Sequence, residues 1–191
     1  MILLSMLLII FNTTSAYINK IPSQYISYKN VKSVMKDLYK IKSNKYNLEH
    51  IVPQSLFKKN CKLRQDIHNI IIYPVDMNMH RSNYKYISDF TFFENCKILD
   101  YKGKELTYKK PLINRNICIK SNNKKFFLPC SKYRGQIARA CMYVIGTYPK
   151  YTNEVFKNVL NPYTLLTWHH EYPVTEFERC KNNIIYGHQG N

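Results

Sequence analysis

The sequence predicts an α+β fold in a single domain, and three observations support this prediction. Apolar residues recur at helical spacing over 31–41 and again over 134–145. Two short segments, 46–50 and 66–73, have the length and flanking residues of strands, and Pro74 ends the second. With 191 residues the chain is long enough to bury one core. The sequence has no internal repeat, low-complexity segment or inter-domain linker.

The first half of the chain predicts the order helix, strand, loop, strand, helix. One face of the first helix is apolar: Val31, Val34, Met35, Leu38 and Ile41. The second helix, over 76–84, places Asn78 and Arg81 on one face because they are three residues apart. In a regular strand, Glu49 and His50 point to opposite faces. For both to act on one group, the backbone must bend over 51–53 or the ligand must lie at the rim of the strand.

The second half predicts a basic β region followed by helices. An aromatic segment leads into it: Phe90, Phe92 and Phe93. The stretch 97–129 is rich in lysine and hairpin-like, with Lys102-Gly103 as a candidate turn. Helical patterns follow over 134–145, 155–160 and 163–168. Thr175 and Glu178 fit a capping box, which predicts a last helix towards Tyr186.

Residues 1–16 have the pattern of a signal peptide. Positions 3–11 are almost wholly apolar, and 14–16 end in a small residue suited to cleavage. The apolar run is shorter than the ~20 residues that a membrane-spanning helix needs. No Lys or Arg precedes this run, and an ordinary buried first helix is the alternative. A signal peptide predicts a secreted or periplasmic protein whose mature domain covers 17–191.

The formal net charge of +17 falls entirely on the part after residue 16. Such an excess concentrates polyanions near the surface and speeds their encounter. Lysines over 97–132 alternate with tyrosines and could line a groove that follows a nucleic-acid backbone. A solvated lysine-rich surface is the plainer explanation. Charge alone does not separate nucleic acid from heparin or from an anionic membrane.

The chain has six cysteines: Cys61, Cys96, Cys118, Cys130, Cys141 and Cys180. None forms a C-x-x-C pair, which argues against a structural zinc site. An even number behind a signal peptide predicts up to three disulfides, whose pairing the sequence does not give. Cys141 lies in a helical pattern and is alternatively a buried thiol.

Three residues have the chemistry of a metal-dependent hydrolytic site. Glu49 places a carboxylate beside the imidazole of His50, and Asn78 adds an amide oxygen 28 residues after that imidazole. Two oxygen ligands with several waters and a phosphate oxygen suit Mg²⁺. An imidazole is largely neutral at neutral pH, so His50 can accept a proton from water. A hydrogen-bonded core histidine is the alternative for His50.

These residues resemble the endonuclease I family of periplasmic and extracellular nucleases. The similarity is carried by 47–55 (N-x-E-H-x-V-P-Q-S), 66–69 (D-x-H-N) and 75–83 (V-x-x-N-x-x-R-S-N). It continues in three further blocks, at 134–139, 172–174 and 189–191, and so covers roughly 46–191.

The resemblance implies a single nuclease domain whose ββα-metal core, the His-Me finger, lies at about 46–86. It implies that Glu49 and Asn78 bind the metal, with His50 as general base. The family acts on DNA and often on RNA and leaves 5′-phosphate ends. No base-recognition motif is visible, so we expect little sequence specificity. We also expect a monomer and no stable membrane insertion.

The resemblance also gives roles to four further residues. A phosphate-contacting arginine comes from the segment between the first two blocks, where Arg64 is the only arginine. Arg81 either contacts the phosphate or pins its own helix by pairing with Asp66 or Asp76. Asp66 and His68 either orient the base or metal ligands, or stabilise the hairpin. The rival to an enzyme is a secreted cationic module that binds nucleic acid, glycans or membranes, but it leaves the three blocks unexplained.

Overall fold

The computed structural model describes residues 22–57, 61–89, 97–99, 102–105 and 116–190, without the side chain of Cys61. Over these ranges the fold is α+β, as predicted. The helices are α1 (Tyr28–Leu38), α2 (Cys61–Gln65), α3 (Val75–Arg81), α4 (Ser131–Thr147), α5 (Thr152–Asn158), α6 (Pro162–Glu171) and α7 (Glu176–Gln189). The strands are β1 (Tyr46–His50), β2 (Ile70–Pro74), β3 (Lys85–Tyr86), β4 (Lys97–Leu99), β5 (Ile117–Ser121) and β6 (Lys124–Leu128). The stretch 1–16, predicted to be a signal peptide, and the aromatic segment at 90–93 lie outside the described residues.

An antiparallel hairpin of β1 and β2, followed directly by α3, lies at the centre of the molecule. The register pairs Glu49 with Ile71 and His50 with Ile70. Strand β2 is buried on both faces, because Ile70 and Ile72 belong to one core cluster and Ile71 to another. The strand, loop, strand, helix order predicted for this stretch is therefore confirmed.

The two faces of the hairpin pack against different helices. On one face, Val31 and Met35 of α1 and Ile185 of α7 cover Leu48. On the other face, the long helix α4 supplies more of the larger cluster than any other element, and Trp168 of α6 also belongs to it. The hairpin is therefore held between two helical layers. This arrangement fixes the directions in which the side chains of β1 point.

Two element boundaries differ from the sequence prediction because side chains cap the elements. Helix α1 begins at Tyr28, where the Ser27 side chain accepts a hydrogen bond from Asn30 N, and it ends before Ile41. Strand β2 begins only at Ile70, because the Asp66 carboxylate caps a 3₁₀ turn over Ile67–Asn69. The Ser27 cap therefore starts α1 ahead of the periodic pattern, and the Asp66 cap delays the start of β2.

The basic region forms a four-stranded sheet of order β3-β6-β5-β4, in which β3 runs parallel to β6. Asn122 and Asn123 join β5 to β6, with φ of 46° and 62°. Asparagine tolerates this left-handed conformation better than most residues. At the predicted turn, Gly103 has φ +78° and Leu99 bridges Glu105. The hairpin-like character of 97–129 is confirmed where residues are described.

The C-terminal helices complete the core and lie against the start of the described chain. The predicted capping box is present, with reciprocal hydrogen bonds between Thr175 and Glu178. Gly135 lets α4 approach Tyr172 closely, because a Cβ there would lie 2.4 Å from the Tyr172 carbonyl oxygen. Ser23 donates hydrogen bonds from both its amide and its hydroxyl to Gln189 O, at 2.9 and 3.0 Å.

Four cysteines are free thiols: Cys118, Cys130, Cys141 and Cys180. Three disulfides are therefore not formed, which corrects the upper limit predicted from the sequence. The alternative interpretation of Cys141 as a buried thiol is the one that holds. Cys96 and the Cys61 side chain lie outside the described residues. Across the described ranges, no helix combines the length and apolar character needed to cross a membrane.

Candidate active site

The backbone bends immediately after β1, and Asn69 holds the bend. Ile51 N donates to Asn69 O at 2.9 Å. The Asn69 side chain then binds Val52 at both ends, accepting from its N at 2.9 Å and donating to its O at 3.1 Å. Pro53 follows and starts a 3₁₀ turn over Gln54–Leu56. Of the two alternatives predicted from the sequence, a bend over 51–53 is present, although it follows Glu49 and His50 in the chain.

Glu49 and His50 nevertheless leave β1 on opposite faces. His50 shares its face with Ile70, and its ring stacks on Tyr28 of α1 with centroids 5.9 Å apart. Glu49 shares its face with Ile71 and meets Arg81 of α3. The fold thus joins Glu49 to the helix that carries Asn78. The His50 ring lies on the opposite face of β1, beside α1.

The Glu49 carboxylate is buried beside a cation but lacks full hydrogen bonding. Glu49 is 4% exposed, and its Oε1 lies 2.7 Å from Arg81 Nη1. That contact is an ion pair without good hydrogen-bond geometry, so Oε1 has no hydrogen bond. Burial raises the pKa of Glu49 to about 7, and Arg81 acts in the opposite direction. The protein donates few hydrogen bonds to this carboxylate besides the contact with Arg81, so it has lone pairs that a cation could use.

The Arg81 side chain is buried and hydrogen-bonded to the protein backbone, and it is not an exposed cation. Its Nη1 donates to His50 O at 3.1 Å, and its Nη2 donates to Ile51 O at 2.7 Å. The guanidinium also lies over the Tyr86 ring at 4.5 Å, and the residue is 1% exposed. These contacts leave no path to a phosphate in solution. The contacts support the alternative in which Arg81 pins its own helix. The groups that it binds, however, are Glu49 and the backbone of the bend rather than Asp66 or Asp76.

Asn78 offers an amide oxygen from α3, the helix whose Arg81 meets Glu49. Its Nδ2 donates to Leu48 O at 2.8 Å, which fixes the amide orientation. Among the described residues none donates to Asn78 Oδ1, and the side chain is half-buried. Carboxylate and amide oxygens suit a hard, oxygen-seeking cation. No cluster of three or more His, Cys, Asp or Glu forms within the described ranges.

His50 is held in one tautomer by a backbone carbonyl. His50 Nε2 lies 3.0 Å from Arg64 O, and a carbonyl only accepts, so Nε2 carries the proton. The Nδ1 lone pair then accepts from Gln54 Nε2 at 3.1 Å. Burial lowers the pKa of His50 to about 4, with the hydrogen bond to Arg64 opposing that shift. At neutral pH the imidazole is neutral, with Nδ1 as its basic atom.

Arg64 and Gln54 are the exposed groups around the His50 ring. The Arg64 guanidinium lies over the Tyr28 ring at 4.6 Å, while its backbone carbonyl holds His50. The side chains of Arg64 and Gln54 are both exposed. Sequence reasoning assigned no role to Gln54, Asn69 or Tyr28. Gln54 and Asn69 stand inside the two motif blocks and could have been found there, whereas nothing in the sequence marks Tyr28.

Asp66 and His68 lie against helix α4 and Tyr148, the residue that follows it. Asp66 is fully buried and accepts from Tyr143 Oη at 2.9 Å, Tyr148 Oη at 2.8 Å and His68 N at 3.1 Å. Burial raises its pKa to about 6, and these hydrogen bonds oppose the shift. The His68 ring packs on Tyr143 with centroids 4.2 Å apart. This geometry favours the alternative in which the pair stabilises the hairpin.

Comparison with known proteins gives one result. The model of the Endonuclease I family matches residues 11–191, which is nearly the whole chain. No curated protein matches the chain.

Proposed function

Because the chain belongs to the endonuclease I family, we propose that it is a secreted endonuclease that hydrolyses phosphodiester bonds with the help of Mg²⁺. Family membership implies nuclease activity and a nucleic-acid substrate. The proposal goes further, to DNA as the main substrate and RNA as a second, with little sequence preference and 5′-phosphate products. The apolar leader at 1–16 supports secretion, and 17–191 would then be one nuclease domain with its ββα-metal core at about 46–86.

The observation that carries the proposal is the unsatisfied oxygen of Glu49 beside the helix of Asn78. Glu49 Oε1 is buried without a hydrogen bond, and the Asn78 amide is turned by Leu48 O so that Oδ1 remains available. Glu49 and Asn78 would hold the cation. When bound, Mg²⁺ would stabilise the charge that develops on the phosphate and on the leaving oxygen.

His50 would act as the general base through Nδ1. Arg64 O fixes the proton on Nε2, so the Nδ1 lone pair is the atom that takes a proton from water. The exposed amide of Gln54 now donates to that lone pair. A water that replaces this amide would stand beside Nδ1. The cation would then have to lie at the rim of β1, because Glu49 and His50 leave the strand on opposite faces.

The two arginines have different proposed roles. Arg64 is exposed beside His50 and has the charge to contact the scissile phosphate. Arg81 would instead position Glu49 and the backbone of the bend, since its guanidinium is buried and bonded to both. Asp66 and His68 would support the site at one remove, by fixing the turn that leads into β2.

A plasmid-nicking assay tests the proposal. We expect nicking with Mg²⁺ and none in excess chelator. His50→Ala should lower the rate by about 10²–10⁴-fold while DNA binding and metal binding are retained. Glu49→Ala should lose metal affinity as well as activity. His170→Ala, at an exposed histidine near the end of α6, is the matched control and should nick normally.

Two outcomes of this assay would each contradict one part of the proposal. Full nicking in chelator would refute the metal role. DNA binding without any nicking, under all metal conditions, would favour the cationic binding module instead. In either case binding should weaken steeply with salt, because each neutralised phosphate releases condensed counterions. A flat salt response would argue against a groove that follows phosphates.

A further inference from the structure

A cavity lies apart from the candidate active site. It has a volume of about 450 Å³ and opens between α4, α6, α7 and the turn before β2. Neither Glu49, His50 nor Asn78 lines it. Its walls include a set of polar and charged groups that the nuclease proposal does not use: His68, Gln136, Arg139, His169, Glu178 and Lys181.

Lys181 is a buried cation without an ion-pair partner. The residue is 6% exposed, and its Nζ donates to Ile70 O at 2.7 Å. An ammonium has three protons, so this single carbonyl leaves two unused. Throughout the described ranges no carboxylate comes within 4.0 Å of Lys181 Nζ. Burying a charge without a counter-ion is costly, which makes an anion in the cavity favourable.

The only carboxylate in the cavity wall is already neutralised. Glu178 accepts from Arg139 Nε at 2.8 Å and from Arg139 Nη2 at 2.7 Å, a bidentate ion pair. The same carboxylate caps the start of α7 through Thr175. Glu178 is therefore not available to Lys181. Burial lowers the pKa of Lys181 to about 8, and the charges of Glu178 and Asp66 oppose that shift, so the ammonium is still mostly charged at neutral pH without a direct ion pair.

Two further polar atoms in the wall are buried without hydrogen bonds. They are Gln136 Nε2, which is a donor, and His169 Nδ1. Tyr39 Oη is the nearest protein partner of Gln136, but the contact falls short of good hydrogen-bond geometry, so both atoms could bond better to a ligand. Buried polar atoms normally have partners, so orphans that share a cavity with Lys181 indicate an oxygen-rich ligand.

Part of the remaining wall is apolar and large enough for an organic group. The apolar part consists of Ala140, Met142, Val174 and Ile185 beside the ring of Tyr143, and three further polar residues, Arg179, Asn182 and Asn183, complete the lining. We propose that this cavity binds a small phosphomonoester, with its phosphate at Lys181 and Gln136 and its organic part against the apolar wall. The ligand is either a free mononucleotide or the 5′-phosphorylated end of a short oligonucleotide, which share this chemistry.

Calorimetric titration of the full chain in excess chelator tests the proposal without requiring any cleavage. The probes are adenosine 5′-monophosphate, adenosine, inorganic phosphate, and a dinucleotide with and without a 5′-phosphate. We expect saturable binding of the monophosphate, at least tenfold weaker binding of inorganic phosphate, and none of adenosine. If the phosphorylated dinucleotide binds as well as the monophosphate, the natural ligand is a nucleic-acid end. If the dinucleotide does not bind, the natural ligand is a free mononucleotide.

Variants locate the binding site. Lys181→Met keeps the aliphatic stem and should weaken binding of the monophosphate at least tenfold. Gln136→Leu should weaken it severalfold and decides the matter if Lys181→Met does not fold. Lys157→Met, at an exposed lysine on α5, is the charge-matched control and should bind normally.

His50→Ala separates this cavity from the nuclease site and should also bind normally. Loss of binding in His50→Ala, or unchanged binding in both Lys181→Met and Gln136→Leu, would overturn the proposal. Absence of saturable binding to the full chain would do the same. None of these outcomes depends on whether the chain nicks DNA.

Discussion

Glu49 and Asp66 are both buried carboxylates with raised pKa values, but their surroundings differ. Asp66 has three hydrogen-bond donors, from Tyr143, Tyr148 and the His68 amide. Glu49 has a cation, Arg81, at 2.7 Å, but its Oε1 has no hydrogen bond. Asp66 is therefore saturated by the protein, whereas Glu49 has one oxygen still to be satisfied.

The difference indicates what each carboxylate is for. A saturated buried carboxylate stabilises the elements that surround it, here the turn before β2 and helix α4. An unsatisfied one costs stability in the free protein and recovers it when a ligand binds. The pKa alone does not distinguish the two carboxylates, since burial raises it in both. The number of hydrogen bonds that each carboxylate accepts does distinguish them.

Exchanging each carboxylate for its amide should give the largest contrast. Glu49→Gln should lower plasmid nicking by at least about 100-fold, because the metal loses a charged ligand. Asp66→Asn should change nicking by less than about threefold when assayed well below its melting temperature. Similar losses in the two variants would mean that the distinction between ligand and support is wrong.

The pH dependence of stability should identify Asp66 in metal-free protein. Its folded pKa of about 6 lies above the ordinary value of 3.8, so its contribution is full below pH 4 and is lost as the pH rises to 6. A shift of this size corresponds to about 3 kcal/mol at most. Urea unfolding at pH 4 to 7 should show this loss in the wild type and a smaller one in Asp66→Asn. Parallel curves would contradict the assignment.

Replacing the cation beside Glu49 should affect stability and activity together. Arg81→Lys retains a charge but cannot reach His50 O and Ile51 O while also pairing with Glu49. We expect a loss of about 2 kcal/mol in the free energy of unfolding and a lower kcat with little change in KM. Arg64→Lys is the matched exposed control, with stability changed by less than about 0.5 kcal/mol. A raised KM in Arg81→Lys would instead support direct substrate contact.

Removing one donor from Asp66 should have the smallest effect. Tyr148→Phe deletes the hydrogen bond at 2.8 Å and should cost about 1 kcal/mol of unfolding free energy, with nicking unchanged. Denaturant unfolding measures the cost, and Tyr163→Phe, at an exposed tyrosine, is the control. A loss of nicking in Tyr148→Phe would place Asp66 in the catalytic apparatus.

The sequence predicted the parts of the fold that depend on local pattern. Strand β1 was expected at 46–50 and is found there, and the capping box at Thr175 starts α7 as expected. The bend at 51–53 followed from Pro53 and from the need to reconcile Glu49 with His50. These features follow from neighbouring residues, so a sequence can reveal them.

The features that were missed depend on contacts between distant segments. Arg81 pairs with Glu49, 32 residues earlier, and not with the nearer Asp66 or Asp76, because the hairpin places β1 beside α3. Burial of Lys181 against Ile70 O joins residues 111 apart. Charge spacing along the chain reports neither pairing. The order of the motif blocks indicated which residues matter, but only the packing shows what each one touches.

The contact of Ser23 with Gln189 has a use in protein engineering. It brings positions 166 residues apart within 3.0 Å, so a short linker would join the two ends of the described chain. New termini could then be opened at Asn122 and Asn123, an exposed turn remote in sequence from both the hairpin and the cavity. Such a circular permutant would keep 46–86 unbroken, and its ability to fold would show that the connectivity of the chain is not what holds the nuclease core together.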